Sequence, residues 1–441
     1  MTLNHNLSDK VTYNEPMALN VDICIRGGGI VGTTLALLLS RLQLRVALIS
    51  NATHTTTQST QAEDIRAYAI NAKSKSILES LNAWPGESFC TEVRQIQVQS
   101  DAGEVIEFSD SFQLDALNTK DSTPMSWIVE VSALDNELTK ALSLSDVQHI
   151  THRGAGAGLQ EIHAPLTVIC EGSQSTTKQL LHTFTERISY RQVALATHVR
   201  FKDPHAKHMG VAYQWFNNSS ALNPNSNSNS NSSSNSNTNS ESTKELEILA
   251  LLPIGGREGN TFAIVWSTSA ERNAALNQLS DADFTDELRK SSKDLFKDLV
   301  PIAAKQSWPL ALTSAENWCG VFSPKESWVL CGDSAHSVHP LSGMGLNLGL
   351  GDVWALYELL LKKEKDNTSW RPLNDLRMLR GYERQRKLAI LPYVQFIDKI
   401  QLLFASNYPL ARLLRNKGFK TFNALGALKE WTVRKAMQAA L

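Results

Sequence analysis

Two stretches of this sequence carry residue types whose spacing suits the binding of a dinucleotide. In RGGGIVGTTLALLL, Gly27, Gly29 and Gly32 form a Gly-x-Gly-x-x-Gly pattern directly between an apolar strand and a helix. Glycine serves there for a tight turn, for close approach of backbone to a pyrophosphate, and for contact between helix and strand. The helix beginning at Ile30 and Val31 would offer unpaired N–H groups and the positive end of its dipole to the phosphates. Ser50 ends the next strand, ALIS, where a ribose-binding Asp or Glu is expected. Its hydroxyl can bond a ribose but brings no charge, and no arginine stands there to imply a 2′-phosphate.

The second stretch is Cys331–Asp352, CGDSAHSVHPLSGMGLNLGLGD. A buried strand delivers Asp333 at its C-terminal end, where a carboxylate can accept hydrogen bonds from sugar-chain hydroxyls. Pro340 fixes the loop, and Gly343 and Gly345 allow backbone to approach a flat ligand. The helix starting near Leu346 and Asn347 would aim its N-terminus at negative charge on that ligand, as on a reduced flavin ring.

Other candidates are weaker. His336 and His339 flank the second loop, where shaping the turn is as good a reading as proton transfer, so no catalytic base is named. Met344 reads as a packing or pocket-lining residue. Tyr213, Trp215 and Trp266 fall on expected strands and could line an apolar pocket, although aromatic residues at strand spacing are more often core. The five cysteines, Cys24, Cys90, Cys170, Cys319 and Cys331, are scattered without a Cys-x-x-Cys pair. They read as buried thiols, with no metal site and no disulfide.

The elements that must position these residues follow from periodicity. Val21–Ile25, a helix over Ile30–Leu42 and a strand over residues 45–50 make a β-α-β unit with its glycines at the first turn. A helix-like segment runs from Arg66 to about Leu81. Residues 93–110 read as a hairpin turning at Asp101, Ala102 and Gly103, residues 133–142 as a helix, and residues 165–172 as a buried strand. Four antiparallel strands are expected between residues 190 and 268. They are interrupted by residues 217–242, nearly pure Asn and Ser, which cannot bury enough apolar surface to order and read as a disordered insertion. Residues 281–300 look helical, 327–333 form another buried strand, and the chain is helical from Gly345 almost to its end.

Composition limits the function classes. A chain of 441 residues exceeds what one core comfortably holds, and a net charge of −1 gives no reason to expect nucleic acid. No stretch is long and apolar enough for a transmembrane helix. Residues 1–20 are polar, so no signal-peptide core is present and a cytoplasmic protein is expected. Residues 401–441 hold seven Lys or Arg against one Glu, among Leu, Phe and Trp. A membrane-surface or partner-docking role there is set against a packed helix with a solvated basic face.

The stretch GDSAHSVHPLSGMGLNLGLGD resembles the GD motif of FAD-dependent aromatic hydroxylases of the para-hydroxybenzoate hydroxylase class. Within that class the chain is most similar to the ubiquinone-biosynthesis hydroxylases. Residues 62–85, AEDIRAYAINAKSKSILESLNAWP, resemble that family's Asp-x-Arg segment, and the C-terminal SNYPLARLLRNKGFKTFNALGALKEWTVRKAM resembles its last helices. The resemblance implies that Asp333 meets the ribitol chain, Pro340 lies near the flavin ring, and Gly343 through Asn347 meet its pyrimidine end. It places Arg66 near the FAD and makes Glu171 and Gly172 the middle cofactor motif. The family has Asp where this chain has Glu171, and Arg where it has Lys178.

The implied reaction is hydroxylation of an aromatic ring through a C4a-hydroperoxyflavin, with NAD(P)H as a transient co-substrate and O2 as oxidant. The implied substrate is a polyprenylated phenol of ubiquinone biosynthesis, reached at the inner face of a membrane or within a biosynthetic complex. An unrelated soluble aromatic substrate is one alternative. A degenerate, non-catalytic scaffold, suggested by Ser50 and Glu171, is another. A flavin halogenase is not indicated, since no Trp-x-Trp-x-Ile-Pro segment occurs.

The expected fold is α/β. A composite Rossmann-like FAD-binding domain (residues 20–83, 126–189 and 313–390) is interleaved with a mostly antiparallel β-sheet substrate domain (84–125 and 190–312). A variable tail, 1–19, precedes them and C-terminal helices, 391–441, follow.

Overall fold

The structure, a computed structural model, describes residues 18–51, 64–101, 103–109, 123–152, 162–181, 183–201, 209–219, 245–256, 260–296, 298–339, 343–365 and 371–405. At its centre lies a six-stranded sheet. In spatial order its strands are Cys319–Ser323, Glu326–Leu330, Leu166–Ile169, Ile23–Arg26, Val46–Asn51 and Gln148–His152. Only the first pair is antiparallel; the other four pairs are parallel. Ile23, Ile25, Leu48, Val168 and Val329 are wholly buried, so these strands read as unbroken apolar runs, as strands covered on both faces must.

Helices Ile30–Ser40, Val131–Ser143 and Gly345–Lys365 pack on one face and build the main core. Val21, Cys24, Ala47, Ile49 and Ala164 pack on the other. The chain leaves the middle strand, Ile23–Arg26, with later strands added on either side. This switch in direction opens a crevice beyond the C-terminal ends of the strands. Gly27, Ser50, Glu171 and Asp333 all follow or end such strands.

The second layer is a nine-stranded, largely antiparallel sheet. Its main path runs through Gln306–Ala315, Thr185–Phe201, Thr261–Ser269, Glu245–Ile254, Val211–Ser219, Gln95–Gln99 and Val105–Ser109. Its outer face packs Leu195, Leu249, Trp215 and Trp266 against Phe284, Leu288 and Phe296. A three-stranded sheet of Ala67–Ile70, Ser126–Glu130 and Cys90–Val93 lies between the two larger ones. The expected interleaved α/β architecture is the one observed.

Several expected elements differ. The segment from Arg66 to Leu81 is not one helix: Ala67–Ile70 is a strand paired with Ser126–Glu130, and the helix is Ala72–Ser80. Tertiary pairing overrides local helical propensity for the first four residues. Asn71 then caps the helix by accepting from the Ser74 amide. The expected helix over 281–300 ends at Ser291. A further helix, Ala270–Gln278, precedes it, and each is started by a serine cap, Ser269 and Ser280. Strand Val211–Ser219 takes in three residues assigned by composition to the Asn/Ser insertion; residues 220–244 lie outside the described residues. The expected boundary between residues 390 and 391 falls inside the helix Leu376–Ala405. Residues 1–17 and 406–441 lie outside the described residues, as does Pro340. The hairpin at 95–109 has its expected place, and all five cysteines are free thiols, four of them buried.

Candidate active site

The first glycine loop is built for close approach. Gly27 has φ +113°, and a Cβ there would lie 2.3 Å from the Cys170 carbonyl oxygen. A Cβ on Gly32 would lie 1.9 Å from the Gly27 carbonyl oxygen, so any side chain would push the helix off its strand. Gly29, the N-cap of the helix, is different: nothing lies within 4 Å of where its Cβ would be. The helix N-terminus thus has open space at Gly29, as phosphate binding there requires.

The second loop lies against the first. Gly332 has φ +63°, and its Cβ position is 3.2 Å from the Val31 side chain. A Cβ on Gly349 would lie 3.0 Å from Val31 and 3.4 Å from the Gly332 Cα. Val31 is therefore wedged between the GD turn and the Gly345–Lys365 helix, and the two glycine stretches meet in one place. Ser334 Oγ donates to the Gly172 carbonyl at 3.2 Å, which brings in the middle motif.

Asp333 is exposed, yet burial among surrounding protein atoms pushes its carboxyl above the usual range. Asp333 thus keeps contact with solvent while the protein around it disfavours its charge. His336, Arg66 and Lys178 act in the opposite direction, so three separate chain segments bring positive or protonatable groups to this carboxylate. Lys178 is buried, which lowers its pKa, and Asp333 offsets part of that.

The supporting side chains have specific tasks. Arg66 is held by Asp64, with Nε–Oδ1 at 2.9 Å and Nη2–Oδ2 at 2.6 Å. Asn347 is buried: its Nδ2 donates to the Ala69 carbonyl at 2.6 Å, and its Oδ1 accepts from the Asn71 amide at 2.9 Å. Its side chain therefore ties the helix start to the Ala67–Ile70 strand, leaving backbone amides for a ligand. Gly343 has φ +63° beside Ala69, whereas no atom lies within 4 Å of a Cβ on Gly345. Leu346 is buried in the main core.

Glu171, expected in the middle cofactor motif, is engaged within the protein. Its carboxylate accepts from Ser175 Oγ at 2.6 Å, Thr177 Oγ1 at 2.7 Å, the Thr177 amide at 3.1 Å and Arg26 Nε at 3.3 Å. Burial opposes its charge, but these bonds outweigh it and lower the pKa. Gly172, with φ +80° and open space at its Cβ position, is the part of this motif that faces outward. Ser50 is also engaged: its Oγ lies 2.8 Å from Nε2 of His149 on the adjoining strand. A Cβ on Gly28 would lie 2.5 Å from the Ser50 Cβ, so even a small side chain is tightly fitted here.

Sequence reasoning gave no role to Asp352. Wholly buried, it accepts from the Gly332 amide at 2.9 Å, pairs with His336 Nε2 at 2.7 Å, and accepts from Arg386 Nε at 2.7 Å. Burial works against its charge, but His336 and Arg386 hold the carboxyl below its usual range. The pairing braces the GD turn from behind. The signal was an acid on an otherwise apolar helix face. His336, stacked on Trp318 at 5.0 Å, is part of this brace. His339 lies 3.0 Å from Gln192 Oε1, edge-on to Tyr190, and burial pushes its pKa down to about 4. Both histidines shape the loop.

Tyr213, Trp215 and Trp266 do not line the site. Strand alternation sends them to the outer face of the large sheet, where Tyr213 stacks on Trp215 at 5.7 Å. The inner face is the one turned toward the loops. Across it, Val98, Gln214, Ala250 and Val265 form one cross-strand row, each partly exposed. One neighbouring row is covered and the other is covered in part, with Leu252, paired with Ala263, staying partly exposed. Ala212 and Ala263 pack under Val93 and Ile128 of the small sheet, and Phe216 and Ile248 pack under Phe404 of the helix Leu376–Ala405. The partly exposed row between them forms a slot. His339, on Gln192, lies beyond the Phe216–Ile248 row, and Gly343 lies against Ala69, which packs on the Ala212–Ala263 side. A flat molecule in the slot would lie beside the second glycine loop.

These features fit FAD: a cradle with room at Gly29, Gly172 and Gly345, a carboxylate in the cleft for sugar hydroxyls, and a helix N-terminus at each end. The FAD binding domain family matches residues 137–389. The chain is 24% identical to the mitochondrial ubiquinone biosynthesis monooxygenase COQ6 of Danio rerio, over 97% of this chain and 90% of that protein. It is also 24% identical to the 3-demethoxyubiquinol 3-hydroxylase of Escherichia coli K12, over 96% and 99%. The crystal structure of p-nitrophenol 4-monooxygenase PnpA from Pseudomonas putida DLL-E4 superposes with a TM-score of 0.66 at 14% identity, covering 96% of this chain and 99% of that one. This last likeness is one of fold.

Proposed function

The chain belongs to the FAD binding domain family, and from that premise we propose that it is an FAD-dependent monooxygenase hydroxylating a polyprenylated phenol on the route to ubiquinone. One observation carries the proposal: Val31 is packed between two distant glycine stretches, joining them into one cleft beside an apolar slot. The cofactor, once reduced by NAD(P)H, supplies the activation of O2 and the hydroxyl delivered to the ring.

The chain supplies placement and dryness. Gly29 and the amides after it hold the pyrophosphate, Asp333 accepts from the ribitol hydroxyls, and the Gly343–Asn347 backbone meets the ring. Arg66 adds positive charge to the cleft. Val98, Ala250 and Val265 present no polar atom beyond the backbone, and Phe404 covers one side, which disfavours water beside the reacting centre. Glu171 and Ser50, the departures that would suit a non-catalytic scaffold, are each engaged within the protein, Glu171 with the turn after it and Ser50 with the adjoining strand.

The polyprenyl reading is supported by relatives named for ubiquinone synthesis. Among the described residues no helix is long and apolar enough to cross a membrane. We place the protein peripherally at the inner face of a membrane, with the basic segment 401–441 as its contact with the surface or with a biosynthetic complex. Quinone profiling of a deletion strain tests the substrate: a polyprenylated ring lacking one hydroxyl should accumulate. An unchanged quinone profile would contradict the assignment.

A further inference from the structure

We infer that Gln214 reads the substrate, its Nε2 donating a hydrogen bond to a neutral oxygen on the aromatic ring. The inference rests on the reading of the slot as an aromatic hydroxylation site and adds a selection rule to it. Gln214 Nε2 is a buried donor with no partner. The amide belongs to the slot's open row, between Val98 on one strand and Ala250 on the next, with Val265 and Ala196 continuing the row. None of these four neighbours has a polar side chain.

A buried amide donor without an acceptor destabilises the fold that contains it. Such a group makes physical sense where a ligand brings the acceptor. One other buried side-chain nitrogen shares this condition among the described residues, Asn273 Nδ2. It sits on the helix Ala270–Gln278, where the same side chain already accepts from Asn277 at 2.9 Å. Gln214 instead belongs to the partly open row, between the partly exposed Val98 and Ala250.

The row's chemistry also sets the class of acceptor. A carboxylate brought into this band would meet one neutral amide and apolar neighbours, with no cation among the row's residues to compensate its desolvation. A phenol or ring-ether oxygen needs only the single donor. The slot therefore selects neutral oxygenated rings over benzoates.

The test uses flavin-loaded wild type and Gln214→Leu, with 2-geranylphenol and geranylbenzene as probes. Binding is read from the change in flavin absorbance, and stability from the unfolding midpoint. Wild type should prefer the phenol by about tenfold, the net worth of one neutral hydrogen bond. Gln214→Leu should bind both probes alike, with equal flavin content and a midpoint at or above that of wild type. A preference that survives in the variant, or is absent from wild type, overturns the inference; so does a lower midpoint, which would mean that the amide has a partner within the protein. Failure of flavin-loaded, NADPH-reduced wild type to hydroxylate 2-geranylphenol would count against the monooxygenase reading instead. The phenol preference and the midpoint still decide the role of Gln214 in that case.

Discussion

Glycines of one motif have different tasks, and the space around each tells them apart. Gly32 touches the Gly27 carbonyl, whereas Gly29 touches nothing. Gly32→Ala should therefore destabilise the flavin-free protein by more than about 3 kcal/mol, within the tail expected for overpacking and backbone strain. Gly29→Ala should leave that stability nearly unchanged while weakening FAD by about tenfold or more, since only the ligand meets the new methyl. Thermal unfolding and flavin-fluorescence titration separate the two. His339 gives a pH signature. Burial lowers its pKa from 6.5 to about 4, so the unfolded chain binds the proton more readily between those values. Stability from this residue is whole above pH 6.5 and is lost as pH falls toward 4, by roughly 3 kcal/mol at most. His339→Gln should remove that part of the acid limb in denaturant titrations. An unchanged limb would assign the loss elsewhere.

At the scale of elements, the sequence was legible where one periodicity and one turn chemistry agreed. Strand Ile23–Arg26, its glycine turn and helix Ile30–Ser40 are locally self-consistent, and they form as expected. Strand Ala67–Ile70 was hidden because its pairing partner, Ser126–Glu130, lies some sixty residues away and because alanine suits a helix. The placement of Trp215 and Trp266 was open for another reason: alternation shows that a strand has two faces without saying which one meets the cofactor. Asp352 reads as an odd acid on an apolar helix until Arg386 and His336 arrive from other elements. The helix Leu376–Ala405 has its own test. Phe404 stacks on Phe216 at 4.1 Å and covers one side of the slot. Phe404→Ala should retain FAD yet raise severalfold the share of NAD(P)H electrons recovered as hydrogen peroxide, because water gains entry. An unchanged share would remove the helix from this role.

For the molecule as a whole, residues far apart in sequence become one site through two contacts at its back. Val31 locks the first glycine loop to the Gly332 turn, and Asp352 holds that turn to the helix Leu376–Ala405 through Arg386. The composite domain expected from recurring buried strands follows from this: no one segment holds a complete cofactor site, so the antiparallel sheet can sit between them in sequence and beside them in space. Asp333 is where the segments report on one another, since Arg66, Lys178 and His336 all reach it electrostatically. The measurement that bears most directly on this account is calorimetric titration of the flavin-free protein with FAD, for wild type, Gly29→Ala and Asp333→Ala. A single clasp predicts one FAD per chain, with affinity lowered about tenfold or more by either substitution. Wild-type protein that takes up no FAD, or an Asp333→Ala variant that binds it as wild type does, would contradict it.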